Sequence, residues 1–72
     1  MITLINTATG EEYRYTGTSR EFCTEDSFCV NAKGSNSFKS RFRGVAAGFV
    51  LGNHMVQVLL REPFKVKECL IK

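Results

Sequence analysis

Tryptophan is missing from this chain, proline occurs once, at Pro63, and histidine once, at His54. The apolar core therefore has to be built on phenylalanine, of which there are six. No apolar run reaches the roughly 18 residues that a membrane-crossing helix needs. The opening residues MITLINTATGEEYRY have neither a basic start nor a long apolar centre, so no export leader is expected there. Cysteine is sparse and odd in number: Cys23, Cys29 and Cys69. Three cysteines without a leader fit a reducing cytoplasm better than a disulfide framework, and three free thiols are expected.

Chemistry is as sparse as these residues. Cys23, Cys29, His54 and Cys69 are the types a tetrahedral zinc site uses, but zinc knuckles place cysteines two to four residues apart and these are scattered. A cysteine nucleophile would need a base held within reach, and no pattern sets His54 beside Cys29 or Cys69. No glycine-rich phosphate loop is present. The expectation is a non-enzymatic protein with no metal, no cofactor and no small-molecule substrate.

What the chain does have is uneven charge and β-type alternation. With 72 residues there is room for one small domain, 1–72, and one core. The net charge of +3 divides into −3 over residues 1–32 and +6 over residues 33–72. Because both parts must share a core, the division reads as two faces of one body, and a basic face is a physical argument for a polyanionic or acidic partner.

Along the chain, residues 1–17 read as a hairpin: Ile2–Ile5 favours a strand, Asn6–Gly10 is turn chemistry, and Tyr13 and Tyr15 lie on one side of the return strand. Phe22-Cys23 and Phe28-Cys29-Val30 read as two short strands around the acidic Thr24–Ser27, with a helix starting from a Ser19 cap as the other reading. Lys33–Ser37 reads as a loop. Phe38–Leu60 admits two readings. A helical stripe runs through Phe38, Phe42, Val45, Ala46 and Phe49, but Gly44 and Gly48 each cost about 1 kcal/mol in a helix. The strand reading places a two-residue turn at Gly52-Asn53. Leu51 then opposes His54, Phe49 opposes Val56, Ala47 opposes Val58 and Val45 opposes Leu60, with a bulge at Gly44 reconciling the two halves. Arg61–Pro63 is a tight connection, and Phe64 onward is a last strand whose alternation slips near Glu68-Cys69.

The run Gly-Val-Ala-Ala-Gly-Phe followed by Met-Val-Gln-Val-Leu-Leu resembles the central hairpin of SH3-like barrels, a likeness of fold that carries no function. The expected fold is all-β: a small five- to six-stranded SH3-like barrel or a strongly bent antiparallel sheet. The alternative is α+β, with two hairpins and a helix at 38–51. On the strand reading Lys39, Arg41 and Arg43 share one face, and with Lys65 and Lys67 they form a stripe of five cations. Two functions follow from it. The first is a protein-binding modulator or inhibitor, of the kind phages and mobile elements encode to redirect host nucleic-acid or transcription machinery. Its interface is the basic stripe or the acidic segment 21–26. The second is a small β-barrel that binds nucleic acid through the same five residues. A protein partner is preferred over nucleic acid because no stacking aromatics accompany the cations, and a membrane partner is not expected.

Overall fold

The computed structural model describes residues 1–16, 21–52 and 54–70. Six strands and one helix follow in the order β1 (Ile2–Asn6), β2 (Glu12–Tyr15), β3 (Ser27–Asn31), α1 (Ala32–Arg41), β4 (Ala46–Gly52), β5 (Met55–Leu60) and β6 (Phe64–Cys69). Two antiparallel three-stranded sheets result, one ordered β2-β1-β6 and the other β3-β5-β4. The β-rich expectation holds, but among the described residues no ladder joins the two sheets into a closed barrel.

The first hairpin forms as its sequence predicts, with Ile2 opposite Tyr15 and Leu4 opposite Tyr13. Its turn is organised by Asn6, whose side-chain oxygen accepts from the Ala8 and Thr9 amides at 3.0 and 3.3 Å. β6 pairs with the other side of β1, and the slip in its alternation lies at Lys67, one residue before the expected place. Phe22-Cys23 contributes only a bridge between Cys23 and Phe28 beside β3. The expected Ser19 cap lies outside the described residues.

Residues 32–41 depart most from the sequence reading, since the expected loop at Lys33–Ser37 and the expected strand start at Phe38 are one helix. Asn31 caps it, its side chain accepting from the Gly34 amide at 2.7 Å. Small residues on its inner face let the helix backbone lie close to the sheet. Gly34 and Ser35 are buried, and the buried Tyr15 hydroxyl donates to the Gly34 carbonyl. The helix ends before Gly44, whose φ of 82° is open to glycine at little steric cost and turns the chain into β4. The expected helix at 38–51 is thus displaced to 32–41, and residues 46–52 are strand.

In the β4–β5 hairpin Gly52 pairs with Met55 and so belongs to the strand instead of the turn expected at Gly52-Asn53; Asn53 lies outside the described residues. Phe49 opposes Val58 instead of Val56, and Leu51 opposes Val56 instead of His54. A change of two in partner leaves the side chains from Gly48 to Gly52 on their expected faces, although the register is wrong. The bulge expected at Gly44 is at Ala47, between Ala46 opposite Leu60 and Gly48 opposite Leu59.

The core joins both sheets and the helix: Ile2, Leu4 and Tyr15 from the first sheet, Phe28, Val30 and Val58 from the second, and Phe38, Phe42 and Val45 from α1 and the segment after it. Phe38 lies at its centre. Its ring stands edge-on to Tyr15 at 5.3 Å and Phe28 at 5.5 Å and stacks on Phe42 at 4.9 Å, arrangements that add stabilisation beyond buried area. A disulfide between Cys23 and Cys69 ties the segment before β3 to the end of β6, and only Cys29 remains a free thiol. The expectation of three free thiols is corrected, and with it the cysteine argument for a reducing compartment. Among the described residues no helix is long and apolar enough to cross a membrane.

Candidate binding site

The five cations singled out in the sequence do not form one stripe. Lys39 and Arg41 are in the last turn of α1, and Arg43 is in the turn that follows. Positive side chains there complement the partial negative charge of the helix C-terminus. Lys65 and Lys67 are on β6, across the molecule's other sheet. The stripe fails because it required Phe38–Arg43 to be extended.

The two groups of cations also differ electrostatically. Lys65 is ion-paired with Asp26, and Lys67 with Glu12 at 2.7 Å. The hydrogen bond that Lys65 donates to the Asp26 carboxylate raises the Lys65 pKa above its ordinary value, with the nearby carboxylates adding to it. These ion pairs join the acidic N-terminal part of the chain to the basic C-terminal part. Among the described residues no carboxylate pairs with Lys39, Arg41 or Arg43.

Around that second group is an open groove of about 440 Å³, lined by Lys39, Ser40, Phe42, Arg43, Gly44, Ala46 and Phe49. Lys39 Nζ lies 4.6 Å from the centroid of the Phe49 ring, and the Arg41 guanidinium 5.7 Å from that of Phe42, both within cation–π range. The groove is therefore an apolar floor with cations at its rim. Phe42 and Phe49 are the aromatic members, and the sequence reading did not assign them to binding. Their signal was present, because Phe49 belongs to the apolar face of the hairpin and Phe42 lies four residues after Phe38.

Aromatic platforms for bases are scarce. Tyr15 is buried to 2% exposure, with its hydroxyl turned inward to Gly34. Tyr13 is half-buried against Phe42 and Phe64, and a hydrogen bond with Glu11 raises its pKa. In the acidic segment 21–26, Asp26 is taken up by Lys65, and the Glu25 and Asp26 carbonyls accept from the Val66 and Leu60 amides. Much of that segment is structural.

The cysteine and histidine positions are not arranged for metal or nucleophilic chemistry. Among the described residues no group of three or more His, Cys, Asp or Glu side chains converges to hold an ion. Cys69 is committed to the disulfide, and burial pushes the Cys29 thiol up, which disfavours its thiolate. Comparisons with protein-family models, with curated proteins and with solved structures find no match to this chain.

Proposed function

We propose that the protein is a non-enzymatic protein-binding modulator that receives an acidic, partly apolar segment of its partner in the groove at the C-terminal end of α1. One observation carries this reading. Of the five cations singled out in the sequence, Lys39, Arg41 and Arg43 have no carboxylate partner among the described residues; Lys39 and Arg43 line the groove with Phe42 and Phe49, and Arg41 stands over the Phe42 ring. An aspartate or glutamate beside an apolar residue would match a rim and floor of this kind, with rim charges setting encounter rate and specificity. Three cations are few for tracking a phosphate backbone, so nucleic acid is the second choice.

The test is selection from a displayed random-peptide library on the oxidised protein, followed by titration of the selected peptides. Acidic peptides with an apolar neighbour are expected, and Lys39→Glu with Arg43→Glu should weaken them about tenfold or more, roughly 1.4 kcal/mol. Both side chains are on exposed residues, so the fold is kept. Peptides without acidic residues would overturn the reading. So would tight binding of a single-stranded oligonucleotide with a steep salt slope that Arg41→Ala and Arg43→Ala flatten.

A further inference from the structure

Four strand edges border the two sheets, and three of them are blocked. The outer edge of β3 is covered by Phe22 and Cys23, through the Cys23–Phe28 bridge and the Cys29 amide donating to the Phe22 carbonyl at 3.1 Å. β2 presents Glu12 and Arg14, both exposed. β6 carries Lys65 and Lys67, and its Val66 amide donates to the Glu25 carbonyl at 2.8 Å. β4 carries no charged residue of its own, and among the described residues no other segment pairs with its outer edge. Its sequence is AAGFVLG, and among the described residues its only ladder is the one with β5. Protein sheets ordinarily blunt such an edge, because its unpaired amides and carbonyls are a template for another strand.

We propose that β4 pairs antiparallel with β4 of a second copy of this chain, about a two-fold axis at Val50, merging two three-stranded sheets into one of six strands. The bulge at Ala47 bends the start of the strand, so the regular pairing segment is Gly48–Gly52. Centred on Val50, it sets Val50 opposite its own equivalent, Phe49 opposite Leu51 twice, and Gly48 opposite Gly52. Leu51 is 83% exposed although it shares a face with half-buried Phe49, and Val50 on the other face is 49% exposed. Pairing covers both, and the aromatic–aliphatic cross-strand pairs add to the backbone bonds.

Charge favours a second copy as the occupant. The strand itself carries no charged residue, so no like charges stand directly opposite one another in a self-pair. Charged residues of opposite sign lie beyond its two ends. Arg43 lies before Ala46, while Glu21 shares a hollow with Leu51, Gly52 and Met55. Antiparallel pairing brings each end of one copy to the opposite end of the other, and therefore Arg43 toward Glu21 twice. An isologous contact of this kind closes as a dimer and leaves no β4 edge to propagate.

Sedimentation of the oxidised protein between about 1 µM and about 1 mM tests the dimer. The wild-type mass should rise from 8.1 kDa toward twice that value. Val50→Lys and Val50→Glu each place like charges at the axis and should remain monomeric at concentrations at least tenfold above the wild-type midpoint. An equimolar mixture of the two should recover the dimer, since Lys then meets Glu. Circular dichroism of each variant checks that the monomer is intact. A wild-type protein monomeric throughout, either single variant dimerising like the wild type, or a mixture that stays monomeric would overturn the proposal.

Discussion

Gly34 shows how one residue can be misread when only local preference is visible. In the sequence it belongs to Lys33–Ser37, whose glycine and serines are breakers, and a glycine inside a helix is unfavourable by about 1 kcal/mol relative to alanine. In the structure a Cβ at this position would come within 3.1 Å of the Tyr15 hydroxyl, 3.2 Å of the Val30 Cβ and 3.3 Å of the Asn31 side-chain oxygen. None of the three can retreat freely: Tyr15 is bonded to the Gly34 carbonyl, Asn31 to the Gly34 amide, and Val30 is fully buried. Gly34→Ala is therefore expected to destabilise the protein by about 1 kcal/mol or more in spite of its propensity gain, because overpacking typically costs about 1–3 kcal/mol. Urea denaturation followed by circular dichroism measures it, and an unchanged or higher midpoint would show that the close approach is not constraining.

At the scale of elements, legibility followed the origin of each element's stability. The first hairpin was readable because its strands, its Asn6 turn and its alternation agree locally. The β4–β5 hairpin was readable in its faces from Gly48 to Gly52 but not in its register, since the expected partners and the observed ones, two residues further on, give the same side-chain parity. Helix α1 was not readable, because the residues AKGSNS have little helical preference and no apolar stripe. Tertiary contacts and a cap supply what propensity lacks. The candidate site inherits this error: Lys39, Arg41 and Arg43 were identified as cations worth attention, but their joining to Phe42 and Phe49 depended on the helix. A helix so dependent on its start should respond to the loss of its cap. Asn31→Ala is expected to lower stability by about 1 kcal/mol and to speed amide exchange in residues 32–35 more than in β1. Equal acceleration across the molecule would indicate global loosening instead of a local cap.

For the whole molecule, the divided charge of the sequence becomes a means of joining its parts. Lys65 with Asp26 and Lys67 with Glu12 each connect chain segments far apart in sequence, and the Cys23–Cys69 bond does the same covalently. The bond could not be read from three cysteines of unknown pairing, since only the fold brings residues 46 positions apart to a Cα separation of 6.3 Å. It connects the chain beside the second sheet to the last strand of the first, where the described strands share no ladder. In the chain-entropy view, closing a loop of this length contributes about 4 kcal/mol, with about 2–4 typical of measured cases. A chain of this size has roughly 4–11 kcal/mol of stability in total, so the cross-link accounts for a large share. Replacing Cys23 and Cys69 together by Ser should lower the urea midpoint by the equivalent of about 2–4 kcal/mol, and a reducing agent should do the same to the wild type. The double variant should be indifferent to reductant, because Cys29 is buried and makes no disulfide. A wild-type midpoint that is equal with and without reductant, in protein whose mass confirms the oxidised bond beforehand, would show that packing between the sheets holds them together without it.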